Sequence, residues 1–240
     1  MKYFYLFLLI FLAYSKHSIA GGISIRFQTG YNYYNMEQLH EMQKSVVNNI
    51  RNEVGIPVKI VESFPAYYSY QFQILLYLPK NFRLGGFFDY ASTGGRVHYR
   101  DYSGKYSFDQ IVTKKTLGTV AERLFPHKDN HLGFSLILKG FISFSDLNIR
   151  ENLTIGEVTD GQDLDFVAIS IGIEPALRYE INFSYITSGL EIGYRIGFSG
   201  FYHLEDYDDT YLLNDGKEIS PEWNGFKISL SFGVHINYGK

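Results

Sequence analysis

The 240-residue chain contains no cysteine. Disulfides, thiolate metal sites and a lipid anchor on cysteine are therefore excluded. Small exported domains with a thin core usually rely on disulfides, so this chain must be held together another way. There is one tryptophan, against 21 tyrosines and 20 phenylalanines. Beyond residue 20 no stretch supplies the roughly 20 apolar residues that a membrane-spanning helix needs. Basic runs are missing too. The net charge is −3 with an isoelectric point near 6.2, and nucleic-acid binding is not expected.

What is present starts with an export signal. Lys2 gives a positive start, and Tyr3–Tyr14 form an apolar run that is long enough for a signal peptide and too short to span. Ser18-Ile19-Ala20 places small residues at a cleavage site. The expected organisation is a signal peptide over 1–20 and one β domain over 21–240. The mean hydropathy of −0.12 would suit a soluble protein. Transmembrane barrels escape hydropathy, because only alternate residues face lipid. Tyrosine is useful at a membrane interface, where one end of the side chain is apolar and the other wet.

Strand residues point alternately to two faces, and this chain alternates through most of its length. Phe226, Ile228, Leu230, Phe232, Val234 and Ile236 oppose Lys227, Ser229, Ser231, Gly233 and His235. Ile186, Leu190, Ile192, Tyr194 and Ile196 oppose Thr187, Gly189, Glu191, Gly193 and Arg195. Val167–Ile181, Leu132–Ile142, Phe82–Tyr90, Tyr68–Leu78 and Ile23–Tyr33 repeat the pattern. A fourth strand, around Tyr106–Leu124, is the least regular. The total is about eight strands.

An apolar face can point inward, as in a soluble sandwich or lipocalin-like barrel, or outward to lipid. The polar face decides for the second. It carries Arg26, Arg83, Lys139, Arg178, Arg195 and Lys227 with Asp89, Glu174, Glu180 and Glu191, interleaved with glycine and serine. Small residues suit a crowded lumen, and eight strands enclose a space just wide enough for side chains. The expectation is a lumen plugged by ion pairs. Pro175 lacks an N–H, which predicts a bulge or a nearby strand end. Short connections at 79–81, 125–130 and 182–184 alternate with long ones at 35–65, 150–165 and 205–222, as when short turns face the periplasm. The connection at 101–104 is tight.

Met36, Leu39, Met42, Val46, Val47, Ile50 and Val54 recur at helical spacing. Asn35 reads as an N-cap with Gln38 completing a capping box, and Gly55 and Pro57 end the helix. This helix in the first long loop is either packed on loops and strand extensions or a lid or docking surface at the mouth.

Residues 89–106 are dense in serine, histidine, aspartate and arginine and fall near the expected outer rim. Ser92 or Ser103 as nucleophile, His98 or His203 as base and Asp101 as orienting group form a weak catalytic set. The plainer reading is a glycine-rich hairpin with polar tips. Gly94-Gly95 is a turn signal rather than a phosphate loop, as no helix follows. Glu205, Asp206, Asp208 and Asp209 are weak oxygen ligands for a divalent cation, and such a run is more often simply solvated. No cofactor is expected.

The mature chain resembles the small outer-membrane β-barrel proteins of the Bacteroidota type. The resemblance rests on the signal peptide, the alternating strands, the runs Ser92-Thr-Gly-Gly-Arg96 and Asp101-Tyr-Ser-Gly104, and the terminal strand. It implies outer-membrane lipids as surroundings and recognition of the last strand, through Phe232, Val234, Ile236 and Tyr238, by the barrel-assembly machinery. The expected fold is an all-β, eight-stranded antiparallel transmembrane barrel with both termini in the periplasm. The expected role is non-enzymatic presentation of surface loops. A lipid-modifying enzyme with a Ser/His/acid site at the outer rim is the alternative, and a small-solute channel is the third reading.

Overall fold

The structure is a computed structural model that describes residues 21–53, 55–102, 104–126, 132–183 and 185–237. The expected signal peptide, Val54 of the helix pattern, residues 127–130 of the expected short connection, Ser103, Ser184 and Tyr238 lie outside these residues. The elements are β1 (Gly22–Tyr34), α1 (Glu37–Glu53), β2 (Lys59–Ser63), β3 (Tyr67–Leu78), β4 (Phe82–Arg100), β5 (Gly104–Pro126), β6 (Leu132–Ile155), β7 (Val158–Phe183), β8 (Ile186–Ser199), β9 (His203–Leu204), β10 (Tyr207–Tyr211), β11 (Leu213–Asn214), β12 (Lys217–Glu218) and β13 (Gly225–Asn237).

Eight of the strands close into a ring in the order β1, β3, β4, β5, β6, β7, β8, β13 and back to β1, every neighbour antiparallel. Closure comes from β13 lying along the whole of β1, from Gly22 opposite Asn237 to Tyr34 opposite Gly225. A closed ring leaves no edge for pairing with another chain. The fold is an eight-stranded antiparallel β-barrel.

One end is trimmed close. Residues 79–81 turn there, β7 ends and β8 begins there with Phe183 opposite Ile186, and β1 begins beside the end of β13. The other end is built up by long strands. The β4–β5 hairpin pairs without a slip from Phe82 opposite Arg123 to Arg100 opposite Lys105. The β6–β7 hairpin does the same up to Ile155 opposite Val158. The sequence suggested a long loop over 150–165; it is instead the tip of this hairpin, turned at Gly156 with φ +61°. The alternation was weak there because both faces of the tip are exposed. β5, the strand of doubtful register, is regular over 23 residues.

Two further expectations are corrected. Pro175 lies in the middle of β7 opposite Leu138. No bulge absorbs it; the β7–β8 pairing lapses between Ile173 and Ala176 and resumes in the same register. Gly94-Gly95 is not a turn but mid-strand in β4. A Cβ at Gly95 would run into the Gln43 side chain and the ring of Phe64, so glycine lets α1 come down onto the strand.

The barrel changes polarity along its axis. In the lower part, apolar side chains such as Phe27, Ile74, Phe88, Leu136, Ile171, Ile192 and Leu230 point outward and are exposed. The inner face there is polar. In the upper part, here called the crown, the arrangement reverses. The outer face carries Arg96, Asp109, Asp146 and Arg150, while the inside holds a hydrophobic core that includes Val97, Phe108, Val112, Leu147, Ile149 and Phe166.

Helix α1 completes that core with Leu39 and Val47, and Met36 and Phe64 join it from the flanking segments. The helix therefore lies across the barrel mouth and packs on the strand extensions. Its cap differs from expectation. The N–H of Gln38 donates to Glu222 Oε2 at 3.0 Å, and Gln38 Oε1 accepts the N–H of Ser220 at 2.7 Å. The acceptor is supplied by the last loop, about 180 residues away in sequence, rather than by Asn35.

Candidate functional site

The barrel interior is where side chains of opposite charge meet, so it is the first place to look for function. Strand alternation sends every second residue of eight strands into one narrow space. Among the described residues, seven bases and five acids are buried there: Arg26, Arg83, Lys114, Lys139, Arg178, Arg195 and Lys227 with Asp89, Glu122, Glu174, Glu180 and Glu191. Burying single ions would be very costly, and such groups persist only when paired and hydrogen-bonded.

They form two linked tiers. In the lower tier, Glu122 and Glu180 hold the arginines. Arg26 reaches Glu122 at 2.7 Å and Glu180 at 3.2 Å, Arg83 reaches them at 3.1 and 2.7 Å, and Arg178 reaches Glu122 at 3.2 Å. Beneath this tier, Tyr77 Oη meets His235 Nδ1, and the Arg83 guanidinium lies 4.9 Å from the Tyr77 ring.

In the upper tier, Lys139 Nζ donates to Glu174 at 2.8 Å and to Glu191 at 2.6 Å. Arg195 reaches Glu174 at 2.9 Å and Asp89 at 3.3 Å, and Lys227 reaches Asp89 at 3.0 Å. Arg178 bridges the tiers through Glu191, its direct cross-strand neighbour.

Lys114 closes the top. Its ammonium lies 3.4 Å from Asp89, and 4.7 and 4.8 Å from the ring centres of Tyr34 and Trp223. Cation–π attraction supports a lysine at this seam. Trp223 Nε1 donates to Ser145 Oγ at 2.7 Å, so the last loop is pinned to the barrel wall where the polar lumen gives way to the crown core.

The sequence pattern pointed to ten of these charged residues. It missed Lys114 and Glu122, both on β5. Val112 and Val120 are buried on the same face, while Lys115 and Thr119 sit on the outer face, and this mixture hid the alternation.

Searches of family models and of curated proteins gave no match. Solved structures gave distant likenesses. The N-terminal β-barrel domain of Pseudomonas aeruginosa OprF is 10% identical with a TM-score of 0.34, covering 91% of this chain and 100% of that one. Neisserial surface protein A is 11% identical with a TM-score of 0.32, covering 92% and 100%. Ail, the attachment invasion locus protein of Yersinia pestis, is 10% identical with a TM-score of 0.30, covering 90% and 97%. Values this low carry no argument about this chain; its barrel stands on its own strand pairings.

Among the described residues, which leave out Ser103, the weak catalytic set is not brought together. Ser92 and His98 are six residues apart on one strand, about 20 Å at ~3.3 Å per residue. His203 pairs with Val167 on β7, three strand spacings from β4, or about 14 Å. Asp101 accepts Tyr99 Oη at 2.9 Å and the Gly104 N–H at 2.9 Å, so it shapes the hairpin turn. Glu205, Asp206 and Asp209 are exposed on the last loop, and the Asp208 side chain lies outside the described residues. Among the described residues no three histidines or acids gather in a group fit to hold a metal ion.

Proposed function

We propose that this protein is a closed, non-enzymatic outer-membrane barrel that holds its crown above the lipid surface as a platform for contact. One observation carries the reading. The barrel reverses its polarity along its axis, with an apolar exterior and ionic interior below and a polar exterior and apolar interior above. An exterior so rich in apolar side chains would drive aggregation in water. Around a hydrocarbon layer it is the stable arrangement. From Phe226 to Ile236 the band spans about 25 Å for strands tilted roughly 40°, close to the apolar height of such barrels. Tyr31, Tyr33, Tyr68, Tyr90, Tyr194 and Phe226 are exposed near its upper margin, as in an aromatic girdle.

This reading keeps both termini at the short-turn, periplasmic end. The Bacteroidota-type resemblance belongs to it and rests on the sequence runs alone. Removal of the leader after Ala20 and engagement of β13 by the assembly machinery are also part of it.

The channel alternative is disfavoured by the interior. A passing ion would have to separate pairs such as Lys139–Glu174 and Arg83–Glu180, whose side chains are at most 3% exposed. The experiment is fractionation with heat-modifiability on a gel, followed by planar-bilayer recording. The protein should partition with the outer membrane, migrate differently when unheated, and show no steady conductance. Recovery as a detergent-independent soluble monomer overturns the membrane placement. Steady ion current overturns the closed lumen.

A further inference from the structure

The outer face of the crown is ordered in rows, because β2, β4, β5, β6 and β7 lie side by side there. Successive outward rows are two residues apart. In the lower rows each cation has its acid. Lys115 pairs with Asp146 at 2.9 Å, Arg96 with Asp109 at 2.5 Å, and Arg150 with Asp163 at 3.1 Å.

The next two rows differ. One places Lys59 beside His98, His98 beside Ser107 and Ser107 beside Asn152; the other places Arg100 beside Lys105 and Lys105 beside Thr154. Lys59, Arg100 and Lys105 are exposed. Among the described residues none of them has a carboxylate within ion-pair distance, while the three cations below do. Asp101, the nearby acid at the hairpin turn, is engaged by Tyr99 and by the Gly104 N–H. A shallow groove of ≈ 270 Å³ runs between Val61, Arg96, His98, Lys105, Ser107 and Asp109.

Three uncompensated cations therefore share one corner of a chain whose net charge is −3. Within these two rows the other side chains are hydroxyl, amide and imidazole groups, and the nearby acids Asp101 and Asp109 are engaged by Tyr99 and Arg96. Lysine and arginine bind sulfate and phosphate through charge-assisted hydrogen bonds. Asn152, which is exposed, and Thr154, whose hydroxyl meets that of Thr159 at 3.2 Å, offer the weaker bonds that sugar hydroxyls take, while Ser107 is buried beneath them. His98 lies eight residues beyond Tyr90 on β4, which is about 20 Å above the girdle for a tilted strand. That is beyond the headgroups of a membrane lipid, so the ligand must be a chain that reaches this height.

We propose that this corner binds a polyanionic glycan bearing sulfate or phosphate groups. The inference deepens the contact role proposed above and rests on the crown being the outward end. The glycan has two possible sources: the saccharide of a lipid in the same leaflet, or a soluble chain from outside. The ligand chemistry is the same for both.

The test uses the full mature barrel in detergent, with dextran sulfate, uncharged dextran and purified lipopolysaccharide as probes. At least one of the two anionic probes should bind, uncharged dextran should not, and binding should weaken as salt is raised. Replacing Lys59, Arg100 and Lys105 together with serine should lower affinity roughly tenfold, from three exposed charge contacts. Replacing Lys115 and Arg150, whose charges are already paired, should change it little. Binding of dextran sulfate alone assigns the soluble source, and binding of lipopolysaccharide alone assigns the leaflet. The triple variant should keep its heat-modifiable migration, which shows that the barrel is intact. No binding of either anionic probe, or equal affinity of the triple variant and the native protein, overturns the proposal. Because the measurement is made in detergent, such a failure leaves the membrane placement standing.

Discussion

Glu191 sits between Lys139 and Arg178 and is about 1% exposed. Removing its charge would leave two buried cations short of an acceptor, which costs about 3–5 kcal/mol for a buried pair. Glu191→Gln is expected to lower the unfolding midpoint of the refolded barrel in denaturant. Coupling should be found with Arg178→Met, since these two side chains touch, and should be small with Arg195→Met, since Arg195 is held by Glu174 and Asp89. A double-mutant cycle measures this directly. Equal coupling to both arginines would mean that the two tiers act as one diffuse charge cloud.

Glu222 is a second residue with a defined task, at the start of α1. Burial raises its pKa above the ordinary value of 4.5, against the opposing pull of the Gln38 and Glu37 N–H groups. A carboxyl group whose pKa is raised in the docked state is bound more tightly when protonated. Docking of the loop should therefore weaken as pH rises from the ordinary carboxylate range through the raised value. Glu222→Gln keeps an acceptor and should flatten this dependence. Glu222→Ala should cost the cap, about 0.5–2 kcal/mol. Fluorescence of Trp223, the only tryptophan, reads the result from the next position in the chain.

At the scale of elements, α1 behaves as a helix of a soluble domain. Leu39, Gln43 and Val47 form its buried face, and the strands beneath it belong to the crown. Gln43 is polar on that face because Ser63 Oγ donates to its Oε1 at 2.8 Å and its Nε2 donates to the Glu62 carbonyl at 3.2 Å. Those bonds tie the helix to β2. Leu39→Ala should cost about 2–5 kcal/mol of local stability. The expected signs are proteolytic cutting within 35–66 and a red shift of Trp223 emission, with heat-modifiable migration retained. Loss of barrel migration at the same time would show that crown and barrel fold as a single cooperative unit.

At the scale of the whole molecule, height along the axis should decide what an outward substitution does. Leu230 is 54% exposed in the apolar band, where arginine costs roughly 2–4 kcal/mol near mid-membrane. Thr113 also points outward, but its neighbours are Ser92 and Asp146 on the crown. Leu230→Arg should sharply reduce assembled barrel in cell envelopes, and Thr113→Arg should leave the yield near normal. Equal yields would place the hydrocarbon boundary elsewhere or remove it. Ser229, by contrast, faces a packed lumen beside Gly30 and on the same face as Lys227, so an arginine there would be crowded by a like charge.

The period of two was enough to determine the strand count, the polar and apolar faces, and ten of the twelve buried charges, because alternation is a local property of an extended backbone. Leu39, Met42 and Val46 likewise announced α1 through their own spacing. Only the folded ring decided the rest. Glu122 meets Arg26 across 96 residues of sequence and Glu222 caps a helix 184 residues away, and no local pattern encodes such partners. The 150–165 segment reads as a loop in isolation and is a hairpin, because its stability comes from β5 alongside it rather than from its own faces. Ser92, His98, Asp101 and His203 look like a site when written in a line. Barrel register separates them along one strand and around the wall, and puts three bare cations together in their place.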